Sequence, residues 1–130
     1  MTQETRKVKF SIITACLNCS SLIERTCKSI IALNYKNFEW IVIDGDSNDG
    51  TLEIIKKYQE QISCLSIELD SGIYEAMNKG IRLASGEYLI FMNAGDTFYD
   101  CDTLSIVSKN LGPDLLYGKT LKRSKNKDKI

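Results

Sequence analysis

Acidic and amide side chains follow several short apolar runs of the chain, and their type and placement suit a metal or phosphate site. The clearest case is residues 88–96, where an apolar run bounded by Gly86 and Gly95 ends in Asn93 and Asp96. Such a run, with its aromatic content, is typical of a strand covered on both faces in a parallel sheet. Ligands of parallel sheets bind beyond the carboxyl ends of the strands, where Asp96 would lie. For this stretch alone, a simple turn is the better interpretation.

The same pattern recurs at three other predicted strand ends. The four sets are Thr14 with Asn18, Asp44 with Asp46 and Asp49, Asp70 with Ser71, and Asn93 with Asp96. A parallel sheet would bring them to one edge, where the acids would repel one another unless a cation or hydrogen-bonding ligand lay among them. Magnesium and manganese favour such oxygen ligands, using one or two carboxylates with phosphate oxygens and water. A cap or turn explains each acid singly, as for Asp49 before a helix; their joint placement predicts a site.

The elements that position these residues alternate between strand and helix. Predicted strands cover 9–14, 39–44, 65–69, a run from residue 88, and 114–117; predicted helices cover 22–33, 52–61, 73–84 and 101–111. Ser20 or Ser21 is expected to cap the first helix, with Glu24 closing a capping box. The alternation predicts an α/β fold, a mostly parallel sheet with flanking helices and right-handed crossovers. Residues 1–118 form the predicted domain, and residues 119–130 a basic tail that we expect to be mobile.

Composition restricts the class of protein. The 130 residues carry 17 basic and 17 acidic side chains, so no overall field favours nucleic acid or an anionic membrane. Six of the basic residues and two of the acidic ones fall in residues 114–130, so residues 1–113 have an excess of acidic side chains. Binding of a polyanion to residues 1–113 would therefore need a bridging cation or backbone donors. The chain has no histidine, which excludes histidine bases, triads and metal ligands. Five cysteines, no long apolar run and a polar start predict a reduced, cytoplasmic protein.

Four segments of the chain, residues 10–14, 43–51, 70–80 and 86–96, resemble family-two glycosyltransferases, most closely the bacterial polysaccharide-type members. The four motifs occur in the family's order and cover residues 8–100. The resemblance implies the Rossmann-like, nucleotide-sugar-binding half of a GT-A fold. It also implies an inverting sugar transfer from a nucleotide-sugar donor, a UDP-sugar by default, to a saccharide or lipid-linked acceptor. The implied cofactor is a divalent metal, manganese or magnesium.

The resemblance implies roles for individual residues as well. Thr14 and Asp44 would border the base and ribose, with Asp46 close to that position. Lys79 would face the nucleotide or diphosphate, and Asp96 would hold the metal. The full set expected to bind the nucleotide sugar is Thr14, Asn18, Asp44, Asp46, Asp70, Lys79 and Asn93.

Two departures from the family pattern affect these expectations. Gly95 stands where the metal motif often carries a second acid, which weakens the inference of metal binding without removing it. Family members also run on into an acceptor-binding half that supplies the catalytic base, whereas this chain stops at Ile130. We therefore expect the donor-binding part of an enzyme, with little or no activity alone. The catalytic base is expected to lie outside this chain; within it, Asp100 and Asp102 are candidates by proximity in sequence alone. A missing half also predicts an exposed apolar surface, and hence dimerisation or instability.

Two other classes of protein share some of these features. A noncatalytic nucleotide-binding or interaction domain would have the same fold and strand-end acids. A thiol oxidoreductase would use Cys16 and Cys19, which lie between a strand and a helix, where thiol pKa values fall. A thioredoxin-like fold needs a proline facing the cysteines. The only proline in this sequence, Pro113, lies in a late turn, so that interpretation is disfavoured. Contact of the basic tail with the inner face of a membrane stays open, although charge runs of this length are usually solvated.

Overall fold

A computed structural model describes residues 8–111 and, in backbone only, the short strands at residues 122–123 and 128–129. The elements in chain order are β1 (Phe10–Cys16), α1 (Ile23–Ile31), β2 (Phe38–Asp44), α2 (Thr51–Lys56), β3 (Cys64–Ile67), α3 (Ile73–Leu83), β4 (Tyr88–Phe91), α4 (Thr103–Ser108), β5 (Lys122–Arg123) and β6 (Asp128–Lys129). The predicted alternation of strand and helix is confirmed, with α2 and α4 shorter than expected. The strand predicted at 114–117 lies outside the described residues. So does the predicted tail at 119–130, apart from β5 and β6.

The main sheet is parallel throughout and has the strand order β3-β2-β1-β4. The order reverses at β1, because β2 and β3 follow on one side of it and β4 lies on the other. In such sheets the loops after the two strands at the reversal diverge and leave a crevice at the carboxyl edge. The predicted convergence of strand ends at one edge is confirmed, and the loops after β1 and β4 flank this crevice. Strands β5 and β6 form a separate antiparallel pair.

Helices cover both faces of the sheet, which explains why the strands are apolar on both sides. On one face, inward residues of β1 and β2 pack against α1, α2 and α4; the principal members are Phe10, Ile12, Trp40, Val42, Ile23, Ile30, Ile55 and Leu104, all buried. On the other face, α3 covers a smaller cluster formed by Ile13, Ala15, Ile41, Ile43 and Ala76. This second layer depends on close packing of one helix against β1 and β2.

The capping box predicted at Ser20 or Ser21 is wrong. The N-cap of α1 is Leu22, which makes no side-chain capping bond. Glu24, expected to close the box, instead accepts a hydrogen bond from the Tyr58 hydroxyl at 2.6 Å. Because the chain after α2 packs beside α1, Glu24 joins the two helices instead of closing a local motif.

Large apolar side chains are exposed after β3, on α3 and on β4. They include Leu69 and Tyr74, each 79% exposed, together with Ile73, Ile81, Leu83 and Leu89. The expected dimerisation through such a surface stays a prediction. Among the residues that the structure describes, no helix has the length and apolar content needed to cross a bilayer.

Gly80 lies where α3 crosses β1, and a Cβ atom there would meet Ile13 Cγ2 at 2.4 Å. Replacing a helical glycine by alanine usually stabilises by about 0.5–1 kcal/mol. We expect Gly80→Ala to lower the free energy of unfolding by about 1–3 kcal/mol instead, because overpacking separates the helix from the sheet. Urea denaturation measures the change. Adding Ile13→Ala, which removes Cγ2, should make the double variant more stable than the summed single effects; strict additivity would contradict the contact.

Candidate functional site

The loops after β1 and β2 are joined by hydrogen bonds into one surface. The Asn18 amide donates to Ser47 Oγ at 2.9 Å, and the Asn48 amide donates to Asn18 Oδ1 at 2.9 Å. One residue on, the Cys19 amide donates to Thr51 Oγ1, also at 2.9 Å. The two strand ends therefore present a single, internally bonded rim at the carboxyl edge of the sheet.

Asp44 organises this rim from inside the protein. Its side chain is fully buried, Oδ2 accepts from the amides of Asp46 at 2.9 Å and Ser47 at 2.7 Å, and Oδ1 accepts from Ser47 Oγ at 2.6 Å. The Cys16 thiol lies 3.3 Å from the same Oδ1. The loop thus occupies the acceptor positions of the carboxylate, which does not reach solvent in this structure. A direct contact of Asp44 with a base or ribose stays a prediction.

Asp46 faces outward from the same loop. It is exposed, its backbone φ is +75°, and its carboxylate makes no hydrogen bond or ion pair with any residue in 8–111. Asn18, also exposed, has a φ of +50°. Left-handed backbone is uncommon outside glycine and clusters at functional sites. The ends of β1 and β2 therefore each present one outward polar residue held in an unusual conformation.

Thr14 has a place in the core. It is fully buried, and its hydroxyl accepts a hydrogen bond from Trp40 Nε1 at 3.0 Å. A buried indole N–H needs such a partner. The Thr14 side chain therefore belongs to the sheet–helix interface in this structure, and its expected contact with a nucleotide stays a prediction.

Asp70 lies at the end of β3, next to the loop after β2. Its Oδ1 accepts the Gly72 amide at 3.1 Å. A Cβ atom on Gly45 would lie 3.3 Å from each Asp70 carboxylate oxygen, so a larger residue at 45 would crowd this carboxylate. The structure thus brings Asp70 to the same rim as Asp46.

Lys79 carries the positive charge predicted for this site. Its ammonium lies 2.9 Å from Glu68 Oε1 and 3.8 Å from Glu75 Oε1, and its side chain is only 12% exposed. The cation is therefore neutralised by two acids in this structure. Contact with a diphosphate would require Lys79 to exchange Glu68 for the phosphate oxygens.

The loop after β4 is tied to β1 and α1. Asn93 Oδ1 accepts the Ala15 amide at 3.1 Å across the strand-order reversal. In α1, the buried hydroxyl of Thr26 accepts the Gly95 amide and donates to the Asp96 carbonyl, both at 2.8 Å. Asp96 itself is exposed, and its carboxylate has no partner within residues 8–111. A firmly anchored loop thus presents, at the edge of the crevice, a carboxylate that no described residue pairs with.

Asp96 fits a metal site of the single-carboxylate kind. Within the part of the chain that the structure describes, no group of three acidic or cysteine side chains is placed to enclose a metal ion. Magnesium and manganese nevertheless bind through one carboxylate when phosphate oxygens and water complete the shell. Gly95 has a φ of +100°, so a second acid there would be strained. The residues present therefore fit a metal whose remaining ligands come from a bound substrate.

Asp100 and Asp102, the candidate bases, both serve the start of α4. Asp102 is its N-cap residue and accepts a hydrogen bond from the Asn34 side-chain amide. Asp100 Oδ1 accepts the Asp102 amide at 2.9 Å and the Thr103 hydroxyl at 3.3 Å. The bond from Asn34 to Asp102 and the local bonds of Asp100 explain both acids without a catalytic role.

The cysteine pair does not have the electrostatics of a redox site. Burial, and secondarily the neighbouring Asp44, raises the pKa of the Cys16 thiol above its ordinary value. The Cys19 thiol is half-buried and donates to the Leu17 carbonyl at 3.0 Å. A reactive thiol at a helix start needs a lowered pKa, so the structure disfavours thiol chemistry at Cys16.

The sequence pattern did not identify three residues of the site, Ser47, Thr26 and Arg25. Ser47 lies inside the motif at 43–51, and its hydroxyl links Asp44 to Asn18, so the motif itself could have indicated it. Thr26 has only the pattern of a core residue on an amphipathic helix. Arg25 Nε donates to the Gly95 carbonyl at 3.0 Å across 70 residues, and no local pattern signals that contact.

The chain has the fold of GT-A glycosyltransferases, with a parallel sheet whose strand order reverses at β1 and an acidic rim beyond that reversal. Staphylococcus aureus TarS 1-349, in complex with UDP-GlcNAc, superimposes with a TM-score of 0.72 and 26% identity, over 78% of this chain and 30% of that one. The mannosyltransferase PcManGT from Pyrobaculum calidifontis, in complex with GDP-Man and Mn2+, gives 0.70 and 27%, over 78% and 31%. The protein is a glycosyltransferase domain of this fold.

Residues 11–127 match the model of glycosyl transferase family 2, and the chain belongs to that family. A PGL/p-HBAD biosynthesis glycosyltransferase of Mycobacterium bovis is 36% identical over 124 residues, covering 90% of this chain and 48% of the relative. Staphylococcus aureus poly-beta-1,6-N-acetyl-D-glucosamine synthase is 34% identical over 106 residues, covering 80% and 26%. The resemblance in the sequence is confirmed, and the chain spans about half the length of the mycobacterial relative.

Asp44→Ala should lower the free energy of unfolding by about 3 kcal/mol, because two backbone amides and a hydroxyl lose their buried acceptor. Asp46→Asn is the matched control. Asparagine tolerates the left-handed backbone and the side chain is exposed, so its effect should stay within about 0.5 kcal/mol. Chemical denaturation followed by circular dichroism measures both. Equal effects of the two substitutions would contradict the organising role of Asp44.

Alkylation of the native protein by iodoacetamide near neutral pH should modify the exposed Cys101 first and the two buried cysteines, Cys16 and Cys27, last. Burial and the raised pKa keep the Cys16 thiol protonated and covered. Peptide mapping by mass spectrometry at successive times measures the order. Rapid modification of Cys16 without unfolding would contradict this prediction and support the thiol oxidoreductase alternative.

Proposed function

We propose that this chain binds a nucleoside-diphosphate sugar along the carboxyl edge of its sheet, with a divalent metal at Asp96. The observation that carries the proposal is a pair of exposed carboxylates that have no partner within residues 8–111, Asp46 after β2 and Asp96 after β4. Strands β2 and β4 lie on either side of β1, and two strand spacings amount to about 10 Å. This separation suits a ligand with hydrogen-bond donors at one end and phosphates at the other.

The nucleoside end of the ligand is assigned to the rim formed by the loops after β1 and β2. Asp46, whose carboxylate has no partner in the described part of the chain, offers an acceptor for the N–H of a base or the hydroxyls of a ribose, and charge-assisted bonds of this kind are strong. Asn18 and Asp70 lie on the same rim. We propose UDP as the nucleotide, supported by the bacterial polysaccharide-type resemblance and by the UDP-GlcNAc held by TarS.

The diphosphate end is assigned to the loop after β4. Asn93 and Thr26 fix the backbone of this loop, so that Asp96 is presented without rearrangement. The metal, when bound, supplies positive charge that stabilises the diphosphate as a leaving group. The manganese in the PcManGT complex supports this choice of metal. Lys79 would add a second positive charge after leaving Glu68.

The proposed reaction is an inverting displacement, in which an acceptor hydroxyl deprotonated by a carboxylate attacks the anomeric carbon. The acceptor is proposed to be a saccharide or lipid-linked saccharide, as in bacterial polysaccharide synthesis. The catalytic base is proposed to come from an acceptor-binding half outside this chain, because Asp100 and Asp102 are engaged at α4. The chain alone should therefore bind donor with little transfer activity. The proposed location is the cytoplasm.

Calorimetric titration with UDP tests the metal assignment. Manganese should tighten UDP binding to the wild-type chain about tenfold or more, because the cation neutralises phosphates beside Asp96. Asp96→Asn should abolish this gain. The control Asp102→Asn, an exposed acid at α4, should keep it.

Identical UDP affinity with and without manganese in the wild-type chain would contradict the metal site. A chain that is folded by circular dichroism and binds no UDP at all would contradict the nucleotide-sugar assignment itself. That second result would favour a noncatalytic interaction domain.

A further inference from the structure

Arg25, in the first turn of α1, is placed beside the candidate metal site. Its Nε donates to the Gly95 carbonyl at 3.0 Å, next to Asp96. Arg25 is exposed, and its guanidinium forms no ion pair with any described residue. A guanidinium has five N–H donors, and Nε accounts for one of them. The two terminal nitrogens are therefore held near the Asp96 loop with their donors uncommitted.

Gly95 lies close to the guanidinium of this arginine. A Cβ atom on Gly95 would lie 3.5 Å from Leu22 Cδ1 and 3.8 Å from Arg25 Nη2. An acid at position 95 would thus lie against Leu22 and close to the guanidinium, in addition to the strain of a φ of +100°. Where a two-acid motif would place a second negative charge, this protein places a positive one close by.

The two charge arrangements suit different ways of holding a diphosphate. Two carboxylates attract a cation and need it to bridge to the phosphates, since they repel the phosphates directly. One carboxylate beside a guanidinium leaves a positive group that binds phosphate oxygens itself, in the bidentate geometry that arginine favours. Lys79 is less available for this task because Glu68 and Glu75 hold its ammonium.

We propose that Arg25 binds the diphosphate of the nucleotide-sugar donor directly, beside the cation site at Asp96. The inference rests on the proposed function and names a binding residue that the family motifs do not include. Arg25 then supplies part of the positive charge that a two-acid motif obtains from the metal alone. The Nε contact with Gly95 holds the guanidinium in place before the ligand arrives, so little side-chain entropy is lost on binding.

The test compares UDP with uridine, which shares the nucleoside but lacks the phosphates. Titrations followed by NMR in magnesium buffer give both dissociation constants for the wild-type chain, Arg25→Gln, Arg25→Lys and the control Lys28→Gln. Lys28 is an exposed lysine three residues further along α1, so its substitution makes the same change of charge. Arg25→Gln should weaken UDP binding about tenfold and leave uridine binding within about twofold, as expected for a lost phosphate contact. Arg25→Lys should retain part of the UDP affinity, and Lys28→Gln all of it.

Other results would overturn the inference in distinguishable ways. Equal weakening of UDP and uridine by Arg25→Gln would mean that Arg25 only holds the loop, and the Gly95 and Asp96 amide signals of the free variant would then shift as well. Unchanged UDP affinity in Arg25→Gln would mean that the guanidinium does not contact the ligand, with the proposed function intact. A folded wild-type chain that binds no UDP would overturn the proposed function and this inference together.

Discussion

The buried carboxylate of Asp44 is the constraint on which the rim of the site depends. A carboxylate removed from water is tolerated only when hydrogen-bond donors replace the solvent, because an unsatisfied buried charge costs several kcal/mol. The loop after β2 supplies those donors from Asp46 and Ser47. Ser47 then fixes Asn18, so the loop after β1 follows. One buried charge thereby determines the shape of two loops.

A similar division between anchoring and presenting residues holds on the other side of β1. The Thr26 hydroxyl is hydrogen-bonded to the backbone of the loop after β4, and the side-chain amide oxygen of Asn93 accepts a hydrogen bond from β1. The exposed Asp96 carboxylate is left without a protein partner within residues 8–111. Buried polar groups thus determine the backbone, and exposed acids on that backbone remain available for ligand. Preorganisation of this kind reduces the ordering cost of binding.

The surroundings of Gly95 suit the proposal of a metal site with a single acid. Gly95 adopts a left-handed backbone, and Leu22 and Arg25 lie beside the position that a Cβ atom there would take. Under the proposed function, one carboxylate and a nearby guanidinium would face the diphosphate, where a two-acid motif would present two negative charges. The sequence departure at Gly95 belongs to a consistent structural alternative.

The sequence by itself determined the order of strands and helices, the parallel sheet and the convergence of polar residues at its carboxyl edge. Those features follow from apolar runs and turn residues, which act over a few positions, and the structure confirmed them. It did not determine which of these polar residues are exposed: Thr14 and Asp44 are fully buried, while Asp46 and Asp96 are exposed. Burial of a strand-end residue depends on strands and helices that pack against it from elsewhere in the chain. The partners of Glu24 and Arg25 lie 34 and 70 residues away, so only the tertiary structure could assign those side chains their roles.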